Sequence, residues 1–308
     1  MISLNQKTIN KPIKLKGVGL HNGIIADLVI KPADENFGIK FCRVDIDKND
    51  LISADFKNVI EPILCTKISN KNGIFVSTVE HLMAAFFGEG IDNVLVEVNA
   101  SEIPILDGSA SEFVDAIRLA GIKEQSAPRK FIHVLKKIEI REDEKFISIE
   151  PSKNDLIIDF EIVYKNPLIR TRRKEFKLSD GMLPEIYNSR TFCLYEDIDF
   201  IKSKGLAKGG SLENAIVVKD NEILNEDGLR NRHEFVYHKI LDCLGDLMLS
   251  GNRMLAHIKT SQGGHALTNK LLLKFFSDDS NWSYESDKLS DKNDKIKKSL
   301  KKPLVATA

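Results

Sequence analysis

Two short runs in which apolar and polar residues alternate, 26–31 (ADLVIK) and 94–98 (VLVEV), predict β-strands with one face buried. Between them, 79–87 (VEHLMAAFF) is apolar at almost every position and is closed by Gly88 and Gly90, which predicts a mostly buried helix. A second helix is predicted over 111–119, ending at Gly121. Residues 123–129 (KEQSAPR) are polar and carry a proline, the composition of a linker. Strand character returns at 131–140, 146–150 and 156–163, where β-branched and aromatic residues are dense and SKND supplies a turn. A short helix over 196–204, a glycine pair at Gly209-Gly210 and a buried strand at 215–218 follow. The longest helical pattern is 234–248, with Phe235, Ile240, Leu241, Leu244, Leu247 and Met248 as its apolar positions. A strand at 255–258 and a helix at 266–276 complete the series. The order of elements is similar in the two halves, a hint of internal duplication. The expected organisation is α+β, with an N-terminal domain over 1–126, a C-terminal domain over 127–277 and a charged tail over 278–308.

Size and charge narrow the classes. The 308 residues exceed the usual single-domain length, and 42% hydrophobic residues suffice for a sizeable core. Lys+Arg and Asp+Glu both number 45, so no global basic field exists to draw in nucleic acid. The N-terminal segment lacks the apolar region of a secretory signal, and no run approaches the roughly 18 apolar residues of a membrane span. Cys42, Cys65, Cys193 and Cys243 lie far apart, which suggests neither a disulfide framework nor a cysteine-rich metal site and fits a reduced cytoplasm. In the tail, 294–302 (DKIKKSLKK) reads either as a solvated segment or as a basic helix touching an anionic membrane, so membrane contact is at most peripheral.

Three places could carry chemistry. His238, Asp242 and Asp246 are spaced i, i+4, i+8, so they share one stripe of the long helix, and a histidine with a carboxylate one turn away can grip a metal ion. The alternative is a solvated face shared with Glu234 and Lys239. Glu80-His81 opens the other buried helix, where His81 could add a metal ligand and Glu80 act as a general base. The same Glu80 also completes a capping box, Ser77-x-x-Glu80, which would make it structural. Third, Gly263-Gly264-His265 puts a histidine just before a helix, as a possible proton donor. His21, His133 and His257 read as structural, and His233, five residues from His238, misses its face.

The segments GVGLHNG (17–23), STVEHLMAAF (77–86), EIPILDGSA (102–110), SRTF (189–192), LNEDGLR (224–230), HKILDCLGD (238–246) and GGHALTNK (263–270), in this order, resemble the UDP-3-O-acyl-N-acetylglucosamine deacetylase family of Gram-negative lipid A biosynthesis. The resemblance runs to about residue 276. It implies two α+β domains, each layering two helices on a sheet and each with a small insertion, and one catalytic zinc ion per chain, with Fe(II) as the other candidate metal. It implies His81, His238 and Asp242 as ligands, Glu80 as general base, His265 as general acid and Asp246 as the carboxylate that orients it. Thr191 is implied to polarise the substrate carbonyl, Phe192 to make an apolar contact near the metal, and Lys239 to lie near the substrate diphosphate. The segment holding Ile198, Ala207, Gly210 and Leu212 is implied to form an apolar passage for the fatty acyl chain. Gln262 stands where many relatives carry lysine. The partner is then an acylated UDP-sugar substrate, bound by a cytoplasmic monomer without nucleic acid. Two other readings are an amidase for a different N-acetylated sugar nucleotide and a non-catalytic sugar-nucleotide binder. A binder has no need of an acid, a base and an oxyanion donor together.

Overall fold

The computed structural model describes residues 4–284. In the first half, five strands form one sheet in the order Ile13–Val18, Ile25–Pro32, Val94–Val98, Ile39–Arg43 and Leu51–Ser53. All neighbours are antiparallel except Ile39–Arg43, which runs parallel to Val94–Val98. Helices α1 (Glu80–Glu89) and α2 (Ser111–Ala120) belong to this half. Ala26, Leu28 and Ile30 alternate inward along their strand and pack with Leu82, Phe86 and Phe113 in the core. Gly90, in the left-handed region, ends α1 as expected of a C-terminal glycine. A two-stranded insertion pairs Ile68–Ser69 with Phe75–Val76.

The second half is built around Arg253–Ser261, the central strand of a seven-stranded sheet. It pairs parallel with Leu156–Ile162 and Phe131–Val134 and antiparallel with Lys145–Pro151. An insertion carries α3 (Leu183–Tyr187), strand Phe192–Leu194, α4 (Ile198–Ser203) and strand Ile216–Lys219. Helices α5 (Glu234–Met248) and α6 (His265–Phe275) pack on the sheet, and α5 also packs closely against α1. Both halves therefore layer two helices on a sheet, in a mixed α+β architecture.

Two sequence expectations are corrected. Residues 123–129 do not form a loose linker: Ile122–Pro128 is a strand antiparallel to Asn5–Ile9. Arg129 follows it, held by two hydrogen bonds to Asp92 and one to the Gly90 carbonyl. Its polar composition is that of a two-stranded ribbon with an exposed face, and its ladder partner lies at the other end of the half. Of the tail expected over 278–308, the residues described, to 284, are ordered against the second half. Asp279–Asn281 forms a turn of 3-10 helix and Trp282–Tyr284 adds a strand antiparallel to Phe131–Val134. Trp282 packs edge-on against Phe276, and Asn281 donates to the Phe275 carbonyl, so the chain is drawn back onto the sheet. The basic stretch 294–302 lies outside the described residues. No helix among the described residues is long and apolar enough to cross a membrane.

Candidate active site

The polar stripe of α5 does not face water. His238, Asp242 and Asp246 are buried and so is Glu234, whose carboxylate accepts from Arg190 Nε at 2.9 Å and from the Arg230 amide at 2.6 Å. The solvated-face alternative is thereby excluded for this helix. Gly245 explains how the stripe comes to meet α1: a Cβ there would stand 2.0 Å from the Glu80 carbonyl oxygen, so only glycine lets the two helices approach so closely.

That approach brings His81 to His238 and Asp242. His81 Nε2 lies 3.5 Å and His238 Nε2 3.3 Å from Asp242 Oδ1, and one donor atom from each residue falls within 4.8 Å of the others. His238 Nδ1 donates to the Ser189 carbonyl at 3.0 Å, which fixes the tautomer and leaves Nε2 as a lone pair aimed at the cluster. Burial drives the His238 imidazole down to a pKa of about 3, so it is neutral and able to ligate. Burial alone would raise the Asp242 carboxyl. His238, Lys239 and His81 outweigh it and hold Asp242 well below the usual carboxylate range, in its ligating form. Its Oδ1 is nonetheless buried without a hydrogen-bond partner. A buried, ionised oxygen lacking a donor, flanked by two imidazoles, fits a metal ion as its missing partner. Lys239 Nζ donates to the other oxygen, Oδ2, so this lysine steadies a ligand from one wall of the cleft.

Beside the cluster stand the acid and base candidates. Glu80 is the first residue of α1, but it is not a cap. Val79 holds the N-cap position without a side-chain bond, and Ser77 Oγ donates to the Ser101 carbonyl instead. Burial pushes the Glu80 carboxyl upward, toward the range useful to a general base. His265 opens α6, its Nδ1 donating to Asp246 Oδ2 at 2.8 Å while Nε2 lies 3.8 Å from Glu80 Oε1. Burial would lower His265, but Asp246 and Glu80 prevail and raise it to about 9, so the ring is protonated at neutral pH. Thr66 was not singled out from sequence. Its amide donates to Glu80 Oε2 at 3.0 Å and its hydroxyl to Asp246 Oδ1 at 2.5 Å.

Glu80, His81, His238, Asp242 and His265 line a cleft of about 340 Å³, together with Thr191, Phe192, Lys239 and Gln262. Phe192 and His238 meet edge to face, 6.3 Å between ring centres. Thr191 and Phe192 also wall a second cavity of about 390 Å³, mainly apolar, which Ile198, Ala207, Gly210 and Leu212 line. The insertion reaches it because Gly209 lies against the loop 17–23, where a Cβ would meet the Gly19 carbonyl oxygen at 2.3 Å. Lys208 and Gly209 donate to the carbonyls of His21 and Leu20. All thirteen residues singled out from sequence thus border one of two adjoining cavities or, for Asp246, hold a residue that does. His233, set aside as a ligand, stands clear and accepts from Arg232 Nε.

Residues 6–277 match the family described as UDP-3-O-acyl N-acetylglycosamine deacetylase. Over 284 residues the chain is 43% identical to the UDP-3-O-acyl-N-acetylglucosamine deacetylase of Actinobacillus succinogenes, covering 91% of this chain and 93% of that protein. With the same coverage it is 41% identical to the enzyme of that name from Pasteurella multocida and 40% identical to that from Haemophilus influenzae. A buried His-His-Asp cluster beside Glu80 and His265, on a chain matched over residues 6–277, has one consistent assignment: the chain belongs to the UDP-3-O-acyl N-acetylglycosamine deacetylase family.

Proposed function

We infer that the chain is a metal-dependent amidase that hydrolyses the N-acetyl group of a UDP-3-O-acyl-N-acetylglucosamine, giving acetate and the free amine in the lipid A pathway. The observation that carries this reading is the orphaned Asp242 Oδ1 between His81 and His238, with Glu80 and His265 on the same cleft. Two imidazoles and one carboxylate suit zinc and would also accept Fe(II). The ion, when bound by these three residues, supplies Lewis-acid charge stabilisation and a more acidic water.

The chain's own residues supply the proton traffic. Glu80, with Oε2 tied to the Thr66 amide, takes a proton from the attacking water through Oε1. The Thr191 hydroxyl, on the wall of the cleft, is the donor toward the developing oxyanion, a contribution often worth roughly 3 kcal/mol. His265, protonated at neutral pH and oriented by Asp246, gives the proton on Nε2 to the departing nitrogen. Water is consumed, the C–N bond breaks and the amine leaves protonated or neutral according to bulk pH. Lys239 offers a cation to the diphosphate as well as to Asp242. The adjoining apolar cavity takes the acyl chain, and burial of each methylene there is worth up to about 0.8 kcal/mol.

The test is acetate release from acylated and unacylated UDP-N-acetylglucosamine, with metal quantified in the same preparation. Metal-dependent release from the acylated substrate is expected. Absence of release from either would overturn the reading.

A further inference from the structure

One residue touches both arms of the proton relay, and its side chain has no part in the mechanism so far. Thr66 follows Cys65 at the start of the small insertion of the first half, far in sequence from α5 and α6. Its side chain and backbone are buried, at 1% exposure. Through its amide it donates to Glu80 Oε2 at 3.0 Å. Its hydroxyl donates to Asp246 Oδ1 at 2.5 Å and stands 3.0 Å from His265 Nδ1. Through its carbonyl it accepts from the Val79 amide at 3.4 Å, just before α1 begins.

The directions of these bonds follow from donor counting. A hydroxyl has a single proton, and the carboxylate Asp246, which has none to give, takes it. The Thr66 oxygen then has only lone pairs to show His265 Nδ1, so that nitrogen must carry a proton, shared between Asp246 Oδ2 and Thr66 Oγ1. Asp246 is thereby held at both oxygens, by the hydroxyl at Oδ1 and by the imidazole at Oδ2. On the other arm, the amide bond occupies Glu80 Oε2 and leaves Oε1 as the oxygen nearer His265 Nε2.

We propose that Thr66 is a positioning residue that couples base to acid: its amide sets which Glu80 oxygen works, and its hydroxyl locks the Asp246–His265 pair in the tautomer and orientation that deliver a proton from Nε2. This rests on the deacetylase reading above. It adds that the spacing between base and acid is set by a third element, outside the three helices that carry the metal ligands, the base and the acid. A buried carboxylate that loses one of its two donors is free to rotate away from the imidazole, and misaligned partners lose rate rather than substrate affinity.

The test is a double-mutant cycle on metal-loaded full-length enzyme, reading acetate release from the acylated UDP-sugar. Thr66→Val removes the hydroxyl at nearly constant volume, Thr66→Ala removes it without placing a methyl where oxygen stood, and Thr66→Ser keeps it. Any variant with a cooperative melt and wild-type metal content is read. Val or Ala is expected to lower kcat ~10–100-fold, the usual loss for a residue supporting a reacting group, with KM within about threefold. Serine should restore most of that loss. In an Asp246→Asn background the same Thr66→Val change should cost less than about twofold, because its target is already disabled. Wild-type kcat in the valine and alanine variants would overturn the proposal, and so would a loss of equal size in both backgrounds, which would place the effect elsewhere. Should serine lose as much as valine, the hydroxyl is not the active feature and the proposal fails. An inactive wild-type chain would instead be a failure of the deacetylase reading.

Discussion

The two adjoining cavities are built on opposite plans. The floor of the catalytic cleft is made of α5 pressed against the first turns of α1 and α6, and most of its polar atoms are buried and tied: Glu80 to Thr66, Asp246 to Thr66 and His265, His238 to Ser189. Among the atoms it leaves untied are His81 Nδ1 and Asp242 Oδ1, and the latter is what a metal would take. The neighbouring cavity is walled by an insertion of short strands, a short helix and glycine-bearing turns, with apolar side chains and few polar ones. Phe200, on that short helix, is 65% exposed. On the proposed reading, chemistry sits where packed helices and the Thr66 segment fix the geometry, and the acyl chain would lie where the backbone is irregular and contacts are non-directional. Damage to the first region should abolish turnover for any substrate, and damage to the second should depend on the acyl chain.

The largest expected effect tests the first half of that contrast. His238→Ala should lose the metal and the activity together, since two remaining protein ligands hold such an ion poorly. Full metal occupancy by elemental analysis would break the assignment. Glu80→Gln comes next. Its amide oxygen can still accept from the Thr66 amide, so metal content should stay at wild-type level while kcat falls roughly 10²–10⁴-fold. Near-normal turnover with a lowered melting temperature would return Glu80 to a structural role.

The passage gives the third effect. Removing the acyl chain should lower kcat as well as raise KM, because energy from a remote group is used to position the reacting one. Ala207→Trp should hurt long-chain substrate selectively. Equal kcat/KM for acylated and unacylated substrates would erase the distinction between the two cavities. A smaller change is expected from Gly245→Ala, which has no room for its Cβ. It should cost about 1–3 kcal/mol of stability and reduce kcat by displacing Glu80, as chemical denaturation and rate on one sample would tell.

The smallest effect is a shift in pH profile. As the proposed acid His265 would act protonated, and its pKa is raised to about 9, so activity should hold through neutral pH and fall as pH climbs past that value. Asp246→Asn removes the nearest negative charge and should move this alkaline limb downward. An unmoved limb would mean that another group donates the proton.

How far these regions could be read in the sequence differs in the same way. The α5 stripe was legible because i, i+4, i+8 spacing has one meaning on a helix, whatever it faces. Which way it faced was not, since that depended on Gly245 meeting Glu80 from the other half of the chain. Glu80 itself was ambiguous between cap and base, and the backbone at Val79 decided it. Thr66 gave no signal at all: it belongs to no periodic segment, and its side-chain partners lie 180 and 199 residues away. Strand Ile122–Pro128 was misread for a related reason, as its partner strand begins at Asn5. The fold class followed from alternation and helix punctuation, which are local. The passage residues came from family resemblance alone, because apolar residues on a short helix and a turn are compatible with ordinary core packing.

One ligand of the metal cluster sits on α1 and two on α5, with the acid candidate on α6 after both. During synthesis, no nascent chain shorter than about 265 residues holds the whole set, and one that stops before α5 cannot assemble the ligand trio. Metal capture would then report that the two halves have docked in the right register. Free energy of binding at such a seam stabilises the assembled form only: at a hundredfold excess over Kd it adds about 2.7 kcal/mol. An ion bound by these three residues would clasp the two halves of the chain, and its chelation should loosen the α1–α5 contact first, ahead of the sheets on either side.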